Sequence, residues 1–251
     1  MMFLFRTRTG RAACTLLAIA TASFAIVGCR DASGRPGAHT AEVTRPDQVT
    51  DVNTLYAQNC AACHGRNGQH GVAIALNNPT YLAIAGSDNI QRITAAGIAN
   101  TTMPPFAQSH GGMLTGQQVS ALVQGMIKQW GRSDALAGQA APPYAGSEQG
   151  NAAAGQQAFG TFCASCHGAD ANGAKLKDGT ATGSLLDSSY LALITDQGLR
   201  SIILAGQTYQ GPHNWHSYGP RPTSDAELTN IVVWLASHRV ANPGQPYATR
   251  Q

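Results

Sequence analysis

Two near-identical pentapeptides, CAACH and CASCH, constrain this chain more than any other feature of its sequence. The repeated residues are Cys60, Cys63 and His64 in the first copy and Cys163, Cys166 and His167 in the second. The chain contains six cysteines, and the remaining two, Cys14 and Cys29, lie near its amino terminus. Every cysteine beyond Cys29 therefore belongs to a pattern of two thiols with a histidine directly after them.

This C-x-x-C-H pattern is the attachment signature of a c-type heme. Two intervening residues on a helical turn set the separation of the thiols, so that they can bond to the two vinyl groups of one heme. The histidine that follows can then reach the iron. We therefore expect two heme c groups, each with its iron, held by the paired cysteines and by His64 and His167 as proximal ligands.

Three other uses of the cysteines stay open on the sequence alone. A thioredoxin-type redox pair would accompany a βαβ pattern, which the sequence lacks. A zinc site could use all four motif cysteines together, but it would leave both following histidines without a role. A disulfide within each C-x-x-C is compatible with an oxidising compartment.

The amino terminus predicts export. Three arginines precede an apolar run that ends in small residues, which is typical of a secretory signal peptide over residues 1–28. The run closes with Ile-Val-Gly-Cys, which resembles the bacterial lipoprotein box and implies that Cys29 carries a lipid. The alternative is an ordinary signal peptide with an incidental cysteine. The resemblance implies a lipid-anchored protein on the periplasmic side of the cytoplasmic membrane, and Arg30 after the cysteine leaves transfer to the outer membrane open.

Processing also changes the charge balance. Loss of the three signal-peptide arginines takes the 16 basic residues to 13, equal to the 13 acidic ones. The mature chain is therefore close to neutral, and no basic run or aromatic-interleaved patch indicates nucleic acid as a partner.

The two motifs lie in two copies of one longer pattern. Cys60 precedes Cys163 by 103 residues, and the segment 81–97 matches 190–206 at a spacing of 109 residues. The difference of six residues places extra chain in the second copy near ADANGAKLKDG. Each copy ends in an amphipathic segment that opens with a capping box, Thr115-x-x-Gln118 and Ser224-x-x-Glu227.

The order of helix, C-x-x-C-H, loop, short helices, ligand loop and final helix resembles the class I cytochrome c domain. The resemblance implies an all-α fold of two tandem domains, each with a covalently attached heme c. The expected segments are a signal peptide at 1–28, a tether at 29–50, domain 1 at 51–131, a linker at 132–150, domain 2 at 151–242 and a tail at 243–251.

Class I cytochromes commonly use a methionine followed by proline as the sixth iron ligand. The first copy has Met103 in NTTMPPF, and the resemblance implies that Met103 is this ligand. Met113 and His110 are the competitors, but they lie closer to the final helix. Pro79 lies where the family often places a proline whose carbonyl accepts a hydrogen bond from the proximal histidine.

The second copy has no methionine, so its heme cannot have His/Met ligation from within its own domain. The spacing of 109 residues places Met103 on Pro212, next to His213 and one turn from His216. We expect His213, or alternatively His216, to be the sixth ligand. A five-coordinate or water-bound iron, a tyrosine (Tyr209 or Tyr218) and a ligand from a partner protein stay open.

These features favour a membrane-tethered diheme electron carrier rather than an enzyme. We expect it to pass electrons between a respiratory or photosynthetic complex that oxidises quinol and an acceptor such as a terminal oxidase. The alternative is a diheme redox enzyme, peroxidase-like or oxidising sulfur compounds, that uses an open second heme. A heme-based sensor is a third option, although no signalling domain is attached.

Overall fold

The computed structural model describes residues 44–146, 149–207 and 213–243. The predicted signal peptide, Cys29 with its predicted lipid and most of the predicted tail lie outside these residues. The helices are α1 (Val52–Asn59), α2 (Ala61–His64), α3 (Pro79–Ala96), α4 (Gly116–Trp130), α5 (Ala152–Phe162), α6 (Ala164–His167), α7 (Ser188–Leu193), α8 (Asp196–Ala205) and α9 (Asp225–Ala236). Single 3-10 turns lie at Pro46–Gln48 and Gln108–His110.

The two sequence repeats fold into the same series of helices. A long helix α1 or α5 runs into the short motif helix α2 or α6, and the repeat ends in α4 or α9. The two repeats differ in the middle. In the first copy a single helix, α3, runs through this region with a kink at Gly86, which has φ 70°. At the matching position of the second copy, Thr195 starts a separate helix by accepting a hydrogen bond from Gly198 N.

Each repeat has its own hydrophobic core where its first and last helices pack together. In the first repeat, α1 and α3 contact α4, which buries Val119, Leu122 and Val123. In the second repeat, α9 packs along α5, and Phe159 lies against the ring of Trp234 at a centroid distance of 4.7 Å. The all-α class predicted from the sequence is confirmed for the described residues, which contain isolated bridges but no β-strand.

Both predicted capping boxes begin the final helices. Thr115 accepts a hydrogen bond from the backbone N–H of Gln118, whose side chain in turn accepts one from Thr115 N–H. Ser224 and Glu227 form the same reciprocal pair at the start of α9. Such pairs satisfy two backbone donors that a helix cannot satisfy itself, and so they fix where each final helix starts.

The extra residues of the second repeat form a small hairpin after the motif. Lys175 pairs with Ala181 in an isolated antiparallel bridge, and Leu176 N–H donates to Thr180 O over 2.7 Å. The hydroxyl of Thr182 donates to the carbonyl of Cys166 over 2.7 Å. The insertion is therefore fastened directly to the second motif.

Segments predicted as tether and linker make specific contacts with the domains. Gln118 donates from its side chain to the carbonyls of Pro46 and Val49, so this end of the predicted tether is held by α4. In the predicted linker, the carbonyls of Pro143 and Tyr144 accept hydrogen bonds from Arg200. None of the described helices is both long and apolar enough to cross a bilayer.

Candidate functional site

The motif helices present the cysteines and histidines in the same way in both repeats. Cys60 and Cys163 lie where the preceding helix ends, and the chain turns there into the four-residue helices α2 and α6. His64 N–H donates to Cys60 O over 2.9 Å, and His167 N–H donates to Cys163 O over 3.0 Å. Each C-x-x-C-H segment is therefore a closed helical turn, as the attachment chemistry requires.

The thiols have the environment of covalent attachment points rather than of redox nucleophiles. Burial raises the pKa of Cys60 to about 11 and that of Cys163 to about 12, so both thiols are protonated at neutral pH. A thioredoxin-type nucleophile needs a lowered pKa instead. Cys63 and Cys166, the second cysteine of each pair, are exposed.

The zinc and disulfide alternatives receive no support from the described part of the chain. Its four cysteines are free thiols, and no group of three or more metal-binding His, Cys, Asp or Glu side chains assembles within it. Each pentapeptide therefore stands as a separate set of two thiols and one imidazole. This donor set fits a covalently attached heme, with the thiols on the vinyl groups and the imidazole on the iron.

The first proximal histidine is held in the tautomer that a metal ligand needs. His64 is 7% exposed, and its Nδ1 lies 2.8 Å from the carbonyl oxygen of Ile74. A carbonyl can only accept, so Nδ1 carries the proton and Nε2 is free to bind iron. Burial lowers the pKa of His64, which keeps the ring neutral. The expectation that the carbonyl of Pro79 accepts this hydrogen bond is wrong. Pro79 begins α3, and the accepting carbonyl belongs to Ile74 in the loop before that helix.

The second proximal histidine lacks this hydrogen bond. His167 Nδ1 is buried and has no hydrogen-bond partner among the described residues. Burial again lowers the pKa of the imidazole, so His167 is also neutral, as a nitrogen ligand of iron must be. The two repeats therefore differ on the proximal side as well as on the distal side.

Met103 lies in a loop that is held against the end of α3. Its carbonyl accepts a hydrogen bond from Ile98 N–H over 3.0 Å, and its N–H donates to the Thr101 hydroxyl over 3.1 Å. A Cβ on Gly97 would lie 2.7 Å from Met103 O, so the backbones are in close contact. Met103 itself is half-buried, whereas its competitor Met113 is 87% exposed.

The corresponding loop of the second repeat packs in the same way. Gly206, the match of Gly97, has φ 71°, and a Cβ there would overlap the carbonyl of His213. The spacing of 109 residues pairs Met103 with Pro212, so the contact is shifted by one residue and His213 takes the place that Met103 has beside Gly97. The side chains of His213 and His216 are both exposed, and the ring of His216 meets that of Trp215 edge-on at 5.3 Å. Tyr209 and Pro212 lie outside the described residues.

Tyr218 is half-buried and packs, like Cys163, against the hydrophobic core of the second repeat. Burial raises its pKa, and the nearby Cys163 and Cys166 raise it further. Its hydroxyl is also near the position that a Gly206 Cβ would occupy. From the sequence, Tyr218 is only one of two loop tyrosines that could bind the second iron. The residue that matches it in the first repeat is the exposed Ser109.

Comparisons with known proteins agree with this architecture. The family model described as "Cytochrome C oxidase, cbb3-type, subunit III" matches residues 47–124 and 150–235, one region in each repeat. A curated relative, the "Cbb3-type cytochrome c oxidase subunit FixPc" of Rhizobium leguminosarum bv. viciae, is 35% identical over 129 residues. The alignment covers 48% of this chain and only 39% of that protein.

A solved structure, the "Kuenenia stuttgartiensis reducing HAO-like protein complex Kustc0457/Kustc0458", also matches at a TM-score of 0.40. It is 17% identical and covers 78% of this chain and 99% of its own.

Proposed function

Because this chain belongs to the cbb3-type cytochrome c oxidase subunit III family, we propose that it is a diheme electron-transfer cytochrome that works with a terminal oxidase of that type. The observation that carries the proposal is the pair of C-x-x-C-H turns, each formed in the same way where a longer helix ends. In each repeat a later loop also packs on a glycine with positive φ, Gly97 or Gly206. The protein sets the iron ligands, the burial and the approach of partners, while the bound heme supplies the electron transfer.

In the first domain, Cys60 and Cys63 would attach the heme, and His64 and Met103 would bind its iron. A methionine thioether favours ferrous iron, so this pair of ligands gives a high reduction potential. The hydrogen bond between His64 Nδ1 and Ile74 O fixes the imidazole ring and leaves Nε2 free to bind iron. The half-buried Met103 supports this assignment against the strongly exposed Met113.

In the second domain, Cys163 and Cys166 would attach the heme, and His167 would bind its iron. His213 would be the second iron-binding histidine, with His216 as the alternative from the same loop. Bis-His ligation would give this heme a lower potential than the first one, so electrons would run from the carboxy-terminal domain to the amino-terminal domain. The close contact between Gly206 and His213 supports a loop that corresponds to the Met103 loop.

The partners follow from the family and from the export signal. A lipid on Cys29 would keep the protein on the periplasmic side of the membrane, where it takes electrons from a quinol-oxidising complex and delivers them to the oxidase. The near-neutral mature charge favours docking through apolar surface around the heme edges rather than through long-range steering.

The proposal is tested with the purified, exported holoprotein. Quantifying heme against protein should give two covalently bound hemes per chain, and the reduced protein should be oxidised rapidly when a cbb3-type oxidase and oxygen are added. A Cys163→Ser/Cys166→Ser variant, prepared alongside, should keep one heme and lose the low-potential component. A wild-type protein with one heme, or one that the oxidase does not oxidise, would refute the proposal.

A second candidate function rests on the exposure of His213 and His216. If neither side chain binds the second iron, that iron has an open position, and the protein is a diheme redox enzyme of the peroxidase-like or sulfur-oxidising kind. Adding peroxide or carbon monoxide to the reduced protein separates the two functions. A carrier with two six-coordinate irons shows little spectral change, whereas an enzyme with an open heme shows a large one.

A further inference from the structure

The end of α8 is buried between the two domains. Ala205, the last residue of α8, is 6% exposed and belongs to the hydrophobic core of the first domain. From the other side, Ile84 of α3 packs against the buried cluster that contains Leu204 and Trp215. The chain that leads from α8 to His213 therefore begins at a surface formed by the first domain.

Asn78 makes the specific polar contacts at this surface. Its side chain is 4% exposed, and its Nδ2 donates to the carbonyls of Ala205 and Gly206, both over 3.0 Å. Its Oδ1 accepts from the N–H groups of Thr80 and Tyr81 at the start of α3. The two carbonyls and the two N–H groups fix the orientation of the amide, and all of its hydrogen-bonding capacity is used.

The same position in the second repeat shows that the bridge is separate from helix capping. Asp187 matches Asn78 and begins α7 by accepting a hydrogen bond from Tyr190 N over 2.9 Å. Asp187 is exposed, and a carboxylate has no N–H with which to hold a carbonyl. Capping the helix therefore needs only the side-chain oxygen, while the amide nitrogen of Asn78 serves the contact between domains.

One of the two carbonyls that Asn78 holds belongs to Gly206, which also contacts the backbone of His213. Gly206 ends α8 with its N–H bonded to Ile202 O, and its backbone is in close contact with the carbonyl of His213. We propose that Asn78 is a positioning residue for the second heme: the first domain holds Gly206, and Gly206 fixes the loop that carries the iron ligand. This inference rests on the proposed ligation by that loop.

Two substitutions at Asn78 separate its two roles. Asn78→Ser keeps a capping oxygen and removes the bridge without adding charge. Asn78→Asp also keeps the cap, but it faces the carbonyls of Ala205 and Gly206 with a carboxylate. Asp187→Ser is the matched control, because it changes the equivalent cap within the second domain. Thermal unfolding and the spectrum of the first heme report whether each variant is folded.

The measurement is the rate of cyanide binding to each iron of the oxidised holoprotein. Cyanide can bind the second iron only after its loop ligand leaves, so loss of two hydrogen bonds should raise that rate by about tenfold or more in Asn78→Ser. The rate should rise further in Asn78→Asp, while Asp187→Ser and the first heme keep wild-type rates.

The outcomes separate this inference from the function on which it rests. A slow wild-type rate that neither Asn78 substitution changes would overturn the positioning role alone. A wild-type second heme that binds cyanide without delay has no loop ligand to displace, and would overturn both the proposed ligation and the role of Asn78.

Discussion

Replacing Gly97 with alanine should detach Met103 from the first iron. Gly97 has φ 68° and ψ −167°, a conformation that essentially only glycine adopts and that costs alanine about 1–3 kcal/mol. The new Cβ would lie 2.7 Å from Met103 O and 2.6 Å from the carbonyl carbon of Pro104. Both are backbone atoms, so no side-chain rotation relieves the overlap, and ordinary contact requires the Met103 backbone to retreat by roughly 0.7 Å or more. Together the two effects should cost about 2–4 kcal/mol.

The assay is the absorption of the oxidised holoprotein together with the midpoint potential of the first heme. We expect Gly97→Ala to lose the absorption band of the methionine–iron bond and to lower the potential, because the thioether no longer stabilises ferrous iron. Gly86→Ala is the control, since Gly86 has a similar backbone conformation (φ 70°, ψ 162°) but its added Cβ would meet no atom within 4 Å. If Gly97→Ala keeps the band and is no less stable than Gly86→Ala, Met103 is not held to the iron through this contact.

Three further predictions concern the frame around the hemes. The hydrogen bond from Arg221 lowers the pKa of Glu227 from 4.5 to about 2. This carboxylate therefore stabilises the fold above pH 4.5 and loses its effect as the pH falls toward 2. In urea titrations, Glu227→Gln should be less stable than wild type at pH 7 and equal to it near pH 2. Arg200→Met should lower the free energy of unfolding by about 2–4 kcal/mol in the same assay, because it removes the buried guanidinium that binds Asp225 and the carbonyls of Pro143 and Tyr144. Tyr56→Phe should lower the free energy of unfolding by about 1 kcal/mol, because it removes the 2.9 Å hydrogen bond of the Tyr56 hydroxyl and keeps an aromatic ring, as the second repeat has at this position. A loss above about 3 kcal/mol would show that the hydroxyl does more than form this one hydrogen bond.

Much of the architecture could be predicted because its signals are local in the sequence. The motif turns, the capping boxes and the 109-residue spacing each depend on residues a few positions apart, or on a repeat that compares the chain with itself. The spacing pairs Gly97 with Gly206, and both glycines contact the loop that follows, although His213 is displaced by one residue from the match of Met103. Patterns of this kind survive folding because backbone hydrogen bonds and helix periodicity enforce them locally.

The features that the sequence could not predict depend on contacts between distant segments. Asn78 bonds to residues 127 and 128 positions away, and its own neighbourhood indicates only a helix cap. The acceptor for His64 is Ile74 rather than Pro79, because the path of the loop after the motif decides which carbonyl reaches the imidazole. The local sequence around Arg200 likewise predicts a surface cation on α8, yet the side chain is only 4% exposed and lies beneath the linker.

The most direct test of the account is a potentiometric titration of the holoprotein with spectra recorded for each heme. We predict two one-electron components of equal amplitude, with the higher potential belonging to the heme that carries the methionine–iron band. Met103→Ala should lower that component and leave the other unchanged. A single component, two equal midpoints, or an upper component that Met103→Ala does not move would contradict the proposed pairing of a high-potential first heme with a low-potential second heme.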